Sequence, residues 1–351
     1  MSSTFRPRIA TGPRFPGDPA WWRGLALTGA VAGAALLASL LPWTQRWGLG
    51  ALTLAILLGI VVGNTVLPTV ADRVASGVDF SKGTLLRAGI VLYGVRIAFQ
   101  QIADVGWTGA AIDALMVATV FPLAVALGTR LLGLDRQTAM LIGAGSAICG
   151  AAAVIAAEPV VRAPAHKVSV AVATVVVFGT LSMFAYPWLY PHLGLSEHAY
   201  GVYVGSTVHE VAQVVVAGRG VGDAAAATAV IEKMMRVMLL APFLLALSAM
   251  LRGSGAPPDR APRLAIPWFA VAFVAVSGVH SLGILPAWSV DALVRLDTAL
   301  LTLAMAALGL RTQLGAVRQA GAKPLALAAL LFVYLVVGGY AINRGIAWLC
   351  G

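Results

Sequence analysis

Charge is scarce in this sequence: 11% of its 351 residues are Asp, Glu, Lys or Arg and 60% are apolar, whereas soluble domains carry roughly 25% charged residues. That excludes an ordinary water-soluble domain, and with a mean hydropathy of +0.89 it leaves a chain that crosses a membrane many times. Cysteine is nearly absent. Cys149, inside an apolar run, and Cys350, at the C-terminus, are too few for a disulfide framework or a zinc knuckle, so both are expected as free thiols. A basic tract is lacking too. The formal charge of +10 is scattered through short connections, which speaks for orientation in a membrane and against nucleic acid. No cleavable leader is expected, because a polar, Pro/Gly-rich stretch runs into a full-length apolar one.

What is present is a succession of runs of the ~20 apolar residues that a helix needs to cross a hydrocarbon core. About eleven spans are expected, at 22–41, 48–67, 83–101, 107–132, 137–157, 166–190, 198–217, 224–250, 264–286, 290–310 and 323–349. The fold class is therefore an all-α polytopic membrane protein. Residues 1–20 read as a disordered cytoplasmic arm ending at the interfacial anchors Trp21 and Trp22, and 21–350 as a single transmembrane domain. Pro- and Gly-rich LRGSGAPPDRAPRLAIP cannot continue a helix and reads as a cytoplasmic linker near 251–266. A cytoplasmic N-terminus places most of the Lys and Arg inside.

Transporters are often built from inverted repeats. GIVLYGVRIAFQQIADVG (89–106) aligns with AMAALGLRTQLGAVRQAG (304–321), matching Gly94 with Gly309, Arg96 with Arg311 and Gly106 with Gly321. These segments run in opposite directions across the membrane, as an inverted repeat requires. A second match, GSAICGAAAV (145–154) with GSTVHEVAQV (205–214), falls on spans that eleven crossings would point the same way.

Both segments of that second match carry a Gly-Ser element within an apolar span, Gly145 and Ser146 in one and Gly205 and Ser206 in the other. Interrupted helices are expected there, because free backbone at membrane depth is tolerated only inside protein or along a watery cavity. The N-termini of two half-helices make an anion site without a charged side chain. Close packing of small residues is the plainer alternative. On a helix Ser206, His209, Glu210 and Gln213 are spaced three or four apart and share one stripe that can face an interior cavity. HEVAQ approaches the zinc-binding H-E-x-x-H, yet Gln213 is a poor ligand and no third one follows, so no metal is expected. Within TAVIEKMMRVM, Glu232 and Arg236 are one turn apart and expected to pair, leaving Lys233 as a free cation unless all three snorkel to a membrane boundary. Arg96 fits a cavity or an anchor equally well. Asn64 fits a neighbouring helix or a substrate.

LLRAGIVLYGVRI, GAGSAICGAAAVIAAEPVV, GVYVGSTVHEVAQVVVAG and IEKMMRVMLLAP together resemble the YeiH-type membrane family, whose members are described as sulfate exporters. The resemblance implies a fold related to the cation:proton antiporter and anion transporter superfamily, with inverted repeats and two interrupted helices crossing near the midplane. It puts the family's motif positions on Gly145, Ser146, Cys149 and Gly150, on Gly205, Ser206, His209, Glu210 and Gln213, and on Lys233 and Arg236. Ala151 and Ala152 stand where a Ser is expected in many relatives, which removes a hydroxyl and bears on substrate preference.

Two functions fit these residues. The first is a secondary active transporter, an exporter, of a small oxyanion such as sulfate or an organosulfonate. Half-helix N–H groups, Ser146, Ser206 and Lys233 or Arg236 then bind the anion, with Gly145, Cys149, Gly150 and Gly205 shaping the site. His209 and Glu210 couple it to a proton or another ion, and Gln213, Asn64, Arg96 and Glu232 support. The second is a Na⁺/proton antiporter using Glu210 and Glu232, ranked lower because Lys233, Arg236 and His209 outnumber the carboxylates. An enzyme and a cofactor are not expected. The expected partners are the anion, a coupling proton or Na⁺, and the bilayer of a bacterial inner membrane. Gly-rich packing permits a homodimer without requiring one.

Overall fold

A computed structural model of the protein describes residues 18–42, 44, 50–252, 268–312, 315 and 320–350. The expected arm up to residue 17 and most of the linker, 253–267, lie outside the described residues. Helices make up the fold, with no strand among the described residues. In chain order they are α1 (Pro19–Ser39), α2 (Ala51–Thr65), α3 (Leu67–Phe80), α4 (Leu86–Tyr93), α5 (Phe99–Ala126), α6 (Arg136–Ala147), α7 (Ala151–Val161), α8 (Ala165–Leu193), α9 (Glu197–Thr207), α10 (Val211–Arg219), α11 (Asp223–Met238), α12 (Leu240–Arg252), α13 (Trp268–Ser281), α14 (Ala287–Arg311) and α15 (Ala322–Cys350). By length and apolarity six helices among the described residues can cross a membrane unaided, and the protein is a multi-pass membrane protein.

The interruptions predicted from the sequence are real, at Ile148–Gly150 and Val208–Glu210. Their consequence differs from the expectation, because neither broken helix crosses. Gln137 at the start of α6 donates to the carbonyls of Val161 and Arg162 at the far end of α7, at 3.3 and 3.0 Å. Tyr200 near the start of α9 likewise donates to Ala217 near the end of α10. Each pair therefore folds back into a helical hairpin reaching about halfway in, since helices of 9 to 12 residues rise only ~14–18 Å. The 29-residue α8 spans ~43 Å and joins the base of the first hairpin to the base of the second. The hairpins thus enter from opposite faces and meet tip to tip. Two of the expected crossings, 137–157 and 198–217, are re-entrant, and this removes the conflict over the second repeat: GSAICG and GSTVHE run in opposite directions.

The first repeat is also visible. Residues 79–96 lie antiparallel to α14, and the matched arginines form reciprocal ion pairs across it. Arg96 reaches Asp297 at 2.7 Å and Arg311 reaches Asp79 at 2.6 Å. Gly106 and Gly321, also matched, both have positive φ, 40° and 86°, which glycine adopts without steric cost.

Helices α1–α4, α13 and α14 pack as one group, and α5–α12 with α15 as another, with thin contact between them where α13 meets α5 and α11 and α14 meets α10. Backbone touches backbone in the first group, where Gly59 of α2 faces Gly309 of α14 and a Cβ on either would collide with the partner helix. Small residues allow such approach between membrane helices. The base of each hairpin is started by a side-chain cap: Asp135 accepts from the Thr138 amide and Ser196 from the Ala199 amide.

Candidate functional site

The tips meet deep in the second group. Glu210 of the second tip turns its side chain onto Gly150 of the first, where an added Cβ would lie 2.6 Å from the Glu210 Cγ. The Ala151 amide, first of α7, donates to Glu210 Oε1 at 3.4 Å. A carboxylate thus occupies the N-terminus of one half-helix while its own backbone starts the other, α10, where Gln213 Oε1 accepts from the Glu210 amide at 3.0 Å. Helix N-termini favour negative charge there. Gly150 holds φ 68° and ψ −133°, a conformation essentially reserved for glycine.

The opposite ends of the broken helices are served by α11. Lys233 Nζ donates to the carbonyls of Ile148 at 2.7 Å and Val208 at 2.6 Å, which are equivalent residues of the two repeats. Arg236 donates to the carbonyls of Ala147 at 2.8 Å and Ser146 at 2.9 Å. Both cations are fully buried, so neither snorkels to a boundary. Carbonyls left over at a helix C-terminus carry partial negative charge, and these two side chains cover it. Lys233 is accordingly not a free cation, and Arg236 does not pair with Glu232 as the spacing suggests. Glu232 faces Asp113 of α5 instead.

The remaining predicted residues divide. Ser206, His209, Glu210 and Gln213 do not share a helical stripe, because the break falls between Thr207 and Val211. His209 is buried beside Lys233 and Arg236, and its Nδ1 has no hydrogen-bond partner among the described residues. The Ser206 hydroxyl is engaged, donating to Tyr203 O and accepting from Asn343 Nδ2 at 3.0 Å. The Ser146 hydroxyl is buried without a partner among the described residues. Cys149 is a buried free thiol. Gly145 and Gly205 sit within intact helix and allow close packing, against Val175 and Val154 and against α11 respectively. Gln213 is packed against Gly179 at the middle of α8. Asn64 ties α2 to α14 through the Thr312 carbonyl. Arg96, held by Asp297, Val294 O and Thr298, is an anchor away from the tips.

Exposure around the tips is confined to one spot. Ala139–Gly150, Gly201–His209 and Val211–Gly218 are buried throughout, whereas Glu210 and Ala151 are half-buried and Ala152 is exposed. One turn along from Ala151 and Ala152, Ile155 lines a cavity of about 310 Å³ between the two helix groups. Lys82 and Arg311 line its other wall together with Thr312. On the opposite face the groups touch, with Arg219 at the end of α10 stacked 6.0 Å above the Tyr93 ring. Among the described residues no cluster of His, Cys, Asp and Glu could hold a metal ion.

Comparison with known proteins agrees with this picture of a membrane chain. The family model described as conserved hypothetical protein 698 matches residues 23–328. The UPF0324 membrane protein of Yersinia pestis is 56% identical over 331 residues, covering 91% of each chain. That of Pseudomonas aeruginosa is 57% identical over 330 residues, 92% of this chain and 93% of its own. The UPF0324 inner membrane protein YeiH of Escherichia coli K12 is 53% identical over 323 residues, 91% and 93%. No solved structure matches the chain. The protein therefore belongs to the UPF0324 family of membrane proteins that includes YeiH.

Proposed function

We propose that the protein is a secondary transporter that moves a small oxyanion, such as sulfate or an organosulfonate, out of the cell across a bacterial inner membrane. The observation that carries this reading is the placement of charge at the tips. A cation held by hairpin tips needs the carbonyls at the C-terminal ends of the half-helices, and here those of Ser146, Ala147, Ile148 and Val208 are already taken by Lys233 and Arg236. What the tips leave for a ligand is the N-terminal end of α7, and a carboxylate, Glu210, stands there in place of one. An oxyanion binds by displacing Glu210 from Ala151.

The Na⁺/proton antiporter reading is weaker for the same reason, and because Glu210 and Glu232 face different neighbours, Ala151 and Asp113. The cavity at Ile155, Lys82 and Arg311 serves as the approach from the face at which α1 begins. That face carries Arg73, Arg130, Arg136, Arg162, Lys167 and Lys323, against Arg96, Arg219, Arg295 and Arg344 on the other, so it is cytoplasmic by the positive-inside rule. Alternating access is movement of the hairpin group against the other around the tips. The test is flux in proteoliposomes under an imposed pH gradient: movement of labelled sulfate or a sulfonate is expected, and its absence for every oxyanion tried removes the reading.

A further inference from the structure

Asp113 and Glu232 are two acids in the middle of the protein that the anion site does not touch. Both are fully buried, and Glu232 lies with its carboxyl against α5 at Gly109, one turn before Asp113, so that the two acids face each other. None of the four oxygens receives a hydrogen bond from any other group among the described residues. Room has been left for them: Gly109, one turn before Asp113 on α5, and Gly205 of α9 flank Glu232 so closely that a Cβ on either would collide with it. Two carboxyl groups can hydrogen-bond to each other only if one carries a proton, and a buried, unpartnered carboxylate is costly.

Charges from the surrounding helices are few. Lys233 and Arg236 of α11 bear on both acids. Of the other groups, Cys149 and Glu210 of the tips bear on Lys233, Cys149 and Tyr186 of α8 bear on Arg236, and His209 lies within the field of both cations. The pair and the tips therefore share the same two cations.

We propose that the Asp113–Glu232 pair is a proton-binding site that couples a proton to the oxyanion held at the hairpin tips. With one proton the pair carries a single negative charge, and a second proton, taken from water, makes it neutral. That frees the positive charge of Lys233 and Arg236 to act on the anion. Coupling is reciprocal, so anion binding draws a proton into the pair. The coupling half rests on the oxyanion reading, whereas the proton half does not.

The experiment uses purified full-length protein, wild type and the near-isosteric variants Asp113→Asn and Glu232→Gln, in which an amide still donates to the remaining carboxylate. Calorimetric titration with sulfate and with an alkylsulfonate, in two buffers of different ionisation enthalpy, counts the protons taken up per anion. In wild type the expected result is proton uptake, with apparent affinity rising up to about tenfold per unit fall in pH where the pair titrates. Both variants should bind the anion with uptake lost and a nearly flat pH profile. Wild-type uptake retained in both variants overturns the coupling. Infrared spectra of the same samples read the proton half independently of anion: the wild type should show a protonated-carboxyl stretch that is missing from both variants. A band unchanged in both overturns the proposal, even if no anion binds and the transport reading has failed by itself. Should one variant not fold, the other decides.

Discussion

The two hairpin tips are built on one plan and equipped differently. Each breaks over three residues, and each offers to Lys233 the carbonyl of the first of them, Ile148 in one and Val208 in the other. At the next two positions the first tip has Cys149 and Gly150 and the second has His209 and Glu210. Backbone differs accordingly: Gly150 has φ 68°, while Glu210 is extended at φ −110°. The first tip offers the Ala151 amide and a glycine, and the second carries the polar side chains His209 and Glu210. The two halves of the repeat thus present different chemistry at equivalent positions.

The largest effect is expected where the symmetry is shared. Lys233→Ala leaves a buried carbonyl on each tip without its donor, at about 1–3 kcal/mol apiece. It should weaken anion binding more than tenfold and more than Arg236→Ala, which strips only the first tip. Equal losses for the two variants in a binding titration would show that Lys233 does not serve both tips. Next is Gly150→Ala, which forces a side chain into a glycine conformation at about 1–3 kcal/mol and pushes Glu210 aside. Thermal unfolding should register a clear fall, and anion affinity should change with it. A variant as stable as wild type would mean that the tip is not held as described.

Glu210→Gln removes the resident charge but keeps the shape. Anion affinity should rise about tenfold, the ~1.4 kcal/mol of a charge-assisted hydrogen bond, with stability little changed; lower affinity would mean that Glu210 assists the anion rather than competing with it. The smallest effects belong to the hairpin bases. Asp135→Ala and Ser196→Ala each lose a helix cap, at about 1 kcal/mol. Asp135 should cost the more, since it also pairs with Lys167 at 2.6 Å, and denaturation of both variants under one condition makes the comparison.

Much of this was legible from the chain. The break sites follow from small residues and HEVAQ inside apolar runs, and the matched arginines and glycines of 89–106 and 304–321 mark the inverted pair. The fold-back was not legible, because an apolar run of about twenty residues reads the same whether it crosses or returns. Only Gln137 against Arg162 and Tyr200 against Ala217, contacts between residues far apart in sequence, reveal it. Partner choice on α11 was misread for a related reason. Spacing placed Arg236 one turn from Glu232, but the uncovered carbonyls at Ser146 and Ala147 hold the guanidinium instead. Asp113 did carry a signal, an ionisable residue inside the apolar run GAAIDALMV. Its neighbour Glu232 is 119 residues away in sequence, which no local pattern reports.

The central claim is that an oxyanion takes the place at Ala151 where Glu210 now stands. It is tested most directly by titrating sulfate and an alkylsulfonate onto purified wild-type protein and Glu210→Gln while following thermal unfolding, because a ligand that binds only the folded state raises its midpoint. At least one anion should raise the midpoint of the wild type, and the same anion should raise that of Glu210→Gln at lower concentration. If neither anion moves either protein while Na⁺ does, the site is not an anion site.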